Sequence, residues 1–139
     1  MTHLAELQGA VSATEDWIND LQQRLGWSDR NRVYSALLAT LHALRDALSQ
    51  QEAVYVGAQL PALLRGLYYD GWHLSGRAPS RSRDAFIERI QDGVHRDPGI
   101  DAEQVARAVL AVLAARLPAG ELEDAKAATP RTLHNLWPN

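Results

Sequence analysis

Apolar side chains recur at helical spacing along almost the whole chain. Val33, Leu37, Leu41, Leu44 and Leu48 are separated by four, four, three and four residues, which places them on one face of an α-helix. Trp17, Ile18, Leu21 and Leu25 form a shorter stripe, with Thr14 as the expected N-cap and Gly26 as the stop. Ser28 is the expected cap of the Val33–Leu48 helix. Ser49 and Glu52 spell a capping box for a third helix that ends near Leu60, since Pro61 disfavours helical geometry before it. Pro61 itself suits the first turn of a fourth helix through Leu64 and Leu67, stopped by Asp70-Gly71. No segment reads as a strand, and Val54-Tyr55-Val56 is too short and lies within a helical pattern.

The pattern is written twice. A gapless shift of 69 residues sets Trp17 and Ile18 on Phe86 and Ile87, Leu21 on Ile90 and Leu25 on Val94. It also sets Leu41, Leu44 and Leu48 on Leu110, Leu113 and Leu117, Glu52 on Glu121, Pro61 on Pro130, and Tyr68 on Trp137. A shared glutamate and proline in the register of the leucines argue for an internal repeat over a chance match of amphipathic helices. The second half has its own punctuation: Ser82 or Asp84 as a cap, breaks at Gly93, Pro98 and Gly99, and a capping box at Asp101 and Gln104. The turn Pro118-Ala119-Gly120 precedes Glu121, and Thr129-Pro130 opens the last helix. The expected fold is all-α, two tandem repeats of about four short helices packed with approximate two-fold pseudo-symmetry. Residues 1–13 form an N-terminal extension. Residues 14–139 form one domain, with repeats 14–72 and 83–138 joined by the linker 73–82. Each half is about 60 residues, a size at which a lone unit is marginal, so the halves are expected to shield each other.

Composition narrows the chemistry. The chain has 139 residues, no cysteine and a net charge of -3. Disulfides, thiolate metal sites and thiol catalysis are excluded, and no global positive field draws in nucleic acid. The longest aliphatic run, Ala108–Ala115, has eight residues, far short of the roughly 20 that cross a bilayer. The first twelve residues do not read as a targeting signal, so a cytoplasmic protein is expected. Its basic residues are nearly all arginine, a composition associated with GC-rich bacterial genomes.

Two clusters are candidate sites. Arg65, Tyr68, Tyr69, Trp72 and His73 gather aromatic rings with polar tips at a helix end, the makings of a ligand pocket or a partner surface. The same rings also suit the seam between the halves, and the repeat mate of Tyr68, Trp137, favours that reading for Tyr68. Arg77, Arg81 and Arg83 concentrate positive charge in the linker, where they would hold a phosphate or an acidic partner or simply keep the linker solvated. His42 and Asp46 lie four apart on one helix, but no His-x-x-x-His or Glu-x-x-His pair accompanies them. Glu121 with Glu123 and Asp124 opens a helix, where the dipole favours carboxylates, and capping is the expected role of both Glu52 and Glu121. Nucleophile elbows and phosphate loops are missing. No metal or cofactor is expected.

The string Gln59-Leu60-Pro61, Leu64-Arg65-Gly66, Tyr68-Tyr69 and Gly71-Trp72 resembles the bacterial family named domain of unknown function 2267 (DUF2267). So do the stretch Leu41–Leu48 before it and the ending Gly120–Asp124 through Leu136-Trp137-Pro138. The resemblance covers roughly residues 14–138 and implies a small, all-helical, internally duplicated bacterial protein with no mechanism to transfer. Ala127-Ala128-Thr129-Pro130 stands where the family more usually has Leu-Pro, which implies a looser helix junction. The expected function is a non-enzymatic helical interaction module, acting through an unknown protein partner or a homo-oligomer, with stress physiology as its setting. The alternative is a small-molecule binder with a cleft between the repeats near Tyr68–Trp72.

Overall fold

The computed structural model describes residues 2–74 and 79–138, with side chains from Leu4 onward. Every element in that range is helical: α1 (Thr2–Leu25), α2 (Arg30–Asp46), α3 (Gln50–Ala58), α4 (Ala62–Tyr69), α5 (Arg83–Gly93), α6 (Ala102–Ala115), α7 (Leu122–Ala127) and a closing 3₁₀ helix, η1 (Arg131–Leu136). Helix α1 starts at Thr2 rather than after Thr14. The Leu4-Ala5-Glu6-Leu7-Gln8 stretch is made of strong helix formers. Thr14 lies inside the helix, where its hydroxyl donates to the Ala10 carbonyl (3.0 Å) instead of capping.

Most other boundaries follow local chemistry. The Asp29 carboxylate, not Ser28, caps α2 by accepting from the Asn31 and Arg32 amides (3.0 and 3.3 Å). Ser49 and Glu52 close a reciprocal capping box on α3 (3.2 and 2.8 Å). Ser82 caps α5 through the Ala85 amide, and Asp101 caps α6 through those of Glu103 and Gln104. Glu121 stands at the N-cap position of α7 but makes no side-chain cap. It accepts instead from the Tyr55 hydroxyl (3.2 Å). Pro61 and Pro130 occupy the N-cap positions of α4 and η1, one residue before the first helical one.

Thr129 is buried and does not cap η1. Its hydroxyl donates to the Lys126 carbonyl (2.7 Å) and accepts from Trp137 Nε1 (3.2 Å). Two hydrogen bonds therefore secure the junction where the missing leucine implied looseness.

Helix α2 is the axis of the fold. It touches α1, α3, α4, α5 and α6 and buries residues on most of its circumference, from Val33 and Ala36 to Leu44 and Arg45. One apolar cluster takes Trp17, Leu21, Leu41 and Tyr68 together with Phe86, Ile90, Leu110 and Trp137. The halves therefore share a core. At the crossing of α2 and α5 the backbones come so close that a Cβ on Gly93 would lie 2.6 Å from the Ala39 Cβ. The first half of α1 leaves this core: Leu4, Leu7 and Val11 are 57%, 63% and 48% exposed, whereas Thr14, Trp17 and Leu21 are buried.

Candidate functional site

The C-terminal end of α4 carries three carbonyls that no further turn of helix satisfies, and α2 supplies the donors. Arg45 is buried. Its Nη1 donates to the carbonyls of Tyr68 and Asp70 (2.9 Å each), while Nε and Nη2 hold the Asp46 carboxylate (2.9 and 3.2 Å). His42 Nε2 lies 2.8 Å from the Leu67 carbonyl oxygen. That oxygen can only accept, so Nε2 carries the proton and Nδ1 of the neutral ring presents its lone pair. Asp46 also accepts from Arg89 of α5 (2.5 Å). Two guanidiniums thus share one carboxylate at the seam between the halves.

Most members of the aromatic cluster are occupied structurally. Tyr68 is fully buried and its hydroxyl donates to the Ala53 carbonyl (2.8 Å). Burial, reinforced by neighbouring Tyr69, raises its phenol well above the usual range, so it stays a neutral donor and lines no cleft. Arg65 donates to the carbonyls of Gly57 and Leu60 (2.9 and 2.8 Å) and so closes the end of α3. Tyr69 stacks on Trp72 (centroids 5.6 Å, planes 23° apart), and its hydroxyl fills the space where a Cβ on Gly57 would sit. Trp72 is half-buried and His73 is exposed. Arg65, Tyr68 and Tyr69 lie on α4, and Trp72 and His73 follow it directly.

Arg81 and Arg83 are also paired. Arg81 grips Glu52 with two bonds (2.8 and 3.0 Å). That hydrogen bonding holds the Glu52 carboxyl below its ordinary value against the opposing effect of burial. Arg83 pairs with Glu103 and donates to Asn135. Both are committed to neighbours rather than arranged around an anion, and Arg77 lies outside the described residues.

Among the described residues, open space lies between the halves along α2 and α5. A cavity of about 450 Å³ is lined by Tyr34, Ser35, Leu38, Ala39 and His42 from α2 and by Arg89, Asp92 and Gly93 from α5. A second, of about 230 Å³, continues along the same seam past Arg89 to Asp46, Ser80 and Phe86. Neither Arg45 nor Arg89 was legible as part of a site. The available signal for Arg45 was its position between Leu44 of the apolar stripe and Asp46, an acidic neighbour. Arg89 sits four residues before Gly93, and only the crossing of α2 with α5 gives that spacing meaning.

Among the described residues, no three histidine or carboxylate side chains gather to hold a metal, and no helix is long and apolar enough to cross a membrane. Fold and seam together define a small all-helical protein whose two halves share one core and leave a polar-lined furrow between α2 and α5. Its residues 14–136 match the family model described as uncharacterized conserved protein (DUF2267), and the chain belongs to that family. A search of curated proteins finds no match.

Proposed function

We propose that the protein is a non-enzymatic, cytoplasmic interaction module that self-associates through the first half of α1. The observation that carries this reading is the exposed stripe Leu4, Leu7 and Val11. It continues at alternating spacings of three and four through Thr14, Ile18, Leu21 and Leu25, the seam pattern of a left-handed helix pair. Residues 2–13 carry a single charged side chain, Glu6. Two copies therefore meet about a two-fold axis without like-charge conflict, which favours a second copy as the occupant.

Two tandem helical quartets, related by an approximate two-fold axis, are part of the same reading. In its support, α2 and α6 end at Asp46 and Ala115, α3 and α7 at Ala58 and Ala127, and α4 and η1 start at Ala62 and Arg131. Exchanging the halves also turns the α2–α5 contact into α6–α1 and the α2–α4 contact into α6–η1.

Sedimentation velocity over a concentration series tests the association. The expected result is a sedimentation coefficient that rises with concentration in the native chain and stays flat in Leu7→Glu, with unchanged helical circular dichroism. A native chain that remains monomeric up to about 1 mM, a concentration that reveals any dimer with a Kd of that order or tighter, overturns the reading.

A further inference from the structure

The furrow between α2 and α5 has the size of a small-molecule site and an unusual charge balance. Its larger cavity, about 450 Å³, lies within the range of roughly 300–1,000 Å³ typical of such sites. Leu38 and Ala39 give it an apolar floor. The absence of a side chain at Gly93 is dictated by Ala39, which leaves no room for one.

The charges along it are unevenly distributed. Arg45 has used its donors on Asp46 and on the carbonyls of Tyr68 and Asp70. Arg89 makes one bond, to the same Asp46, and its side chain is 55% exposed. Asp92, the other carboxylate of the furrow, shares Arg96 with Glu88 (2.8 and 3.3 Å). Within the Arg45–Asp46–Arg89 group one positive charge is left over, and it resides on the accessible guanidinium of Arg89. On the α2 side, the Leu67 carbonyl pins the His42 ring with Nδ1 as an acceptor.

We propose that this furrow binds a small organic monoanion, a carboxylate with a hydroxyl or amino substituent on a short apolar body. The carboxylate accepts from Arg89, the substituent donates to His42 Nδ1, and the body lies on Leu38 and Ala39. The single excess charge of that group suits a monoanion; a dianion such as a phosphate would bring one negative charge more than the group offsets, close to Asp46 and Asp92.

The test is a titration of the full chain with 3-hydroxybenzoate, benzoate, phenol and inorganic phosphate, followed by amide NMR shifts and by the His42 ring nitrogens. The expected result is shifts confined to α2 and α5, a moving His42 Nδ1 resonance, and an order of affinity with hydroxybenzoate first, benzoate second and phenol last. Arg89→Gln and Asp46→Asn separate binding from mere structure, since both break the Arg89–Asp46 tie. Arg89→Gln is expected to weaken hydroxybenzoate about tenfold, while Asp46→Asn, which releases Arg89 from its partner, tightens it about threefold. The proposal is overturned if no localised shifts occur at about 20 mM ligand, weaker than any useful affinity. It is overturned equally if both variants change affinity in the same direction, or if inorganic phosphate binds as tightly as the hydroxybenzoate.

Discussion

Two seams join the halves, and they carry the same tie with its charges reversed. Where α1 meets α6, Asp20 accepts from Arg116 (2.7 Å), and the guanidinium also lies over the Trp17 ring, 5.2 Å from its centroid. Where α2 meets α5, Arg89 donates to Asp46. Asp20 and Arg89 are 69 residues apart, and Asp46 and Arg116 are 70 apart, so carboxylate and guanidinium have exchanged helices. A surface ion pair tolerates this because its energy depends on opposite signs at short distance and not on which helix bears which sign. The apolar positions show no such freedom: Trp17, Leu21, Leu41 and Leu44 are buried, and so are Phe86, Ile90, Leu110 and Leu113.

The seams differ in what α2 adds. His42 and Arg45 clamp the carbonyl end of α4, whereas the residues 69 further on, Ala111 and Ala114, are alanines. The helix that starts 69 residues after α4 is a 3₁₀ helix, η1. One kind of clamp occurs in both halves with different chemistry. Arg65 donates to the Leu60 carbonyl, and His134 Nε2 lies 2.9 Å from that of Thr129, each 69 residues from its mate.

The sharpest way to break this asymmetry is Arg45→Ala. It strands the carbonyls of Tyr68 and Asp70 in a buried setting and removes a guanidinium that is 4% exposed. The expected loss is about 3–5 kcal/mol of unfolding free energy, read by urea denaturation. Ala114→Gly at the equivalent position of α6 should cost only about 1 kcal/mol, the propensity difference alone. Equal losses at the two sites would show that the α4 clamp carries no special weight.

A smaller effect is expected at the helix crossing. Gly93→Ala forces a methyl group against the Ala39 Cβ and Cα, at 2.6 and 3.2 Å, and should cost about 1–3 kcal/mol through overpacking. Its mate 69 residues earlier is Arg24, whose one ion pair, with Asp20, is exposed. Arg24→Ala should stay within about 0.5 kcal/mol. A thermal melt of both variants checks the contrast.

Much of the helical layout was legible because periodicity and capping are local. The stripes of α2 and α6, the Ser49–Glu52 box and the stops before Pro61 and Pro130 need no tertiary information. Thr14 misled for the same reason. Threonine is a good cap in isolation, but helix-forming residues on both sides absorbed it into α1. The aromatic cluster was legible as a group, not in its roles. Arg65 and Tyr68 are polar side chains that answer backbone carbonyls of α3, and nothing in the linear order of residues says where those carbonyls will be. The furrow was least legible of all. It depends on which face of α5 crosses α2, so Arg89 and His42 become neighbours of one space only after the halves dock.

The smallest effect separates the two seams by pH. Burial raises the Asp20 carboxyl, but hydrogen bonds from Arg116 and Arg24 outweigh it, and its pKa lies below the ordinary value. A carboxyl with a lowered folded pKa contributes stability that is complete above its unfolded pKa, near 4, and is lost as pH falls through the folded value. The Asp20 contribution should therefore be full at neutral pH and disappear on acidification below about pH 4. Asp20→Asn should lower stability at pH 7 by up to about 1 kcal/mol, as expected for a largely surface pair, and the difference should shrink as pH falls below about 4 through the folded pKa. Urea midpoints of the two proteins across that range should converge toward acid. A gap that persists unchanged to the acid end would mean that Asp20 acts through packing of α1 on α6. The charge reversal between the seams would then have no electrostatic meaning.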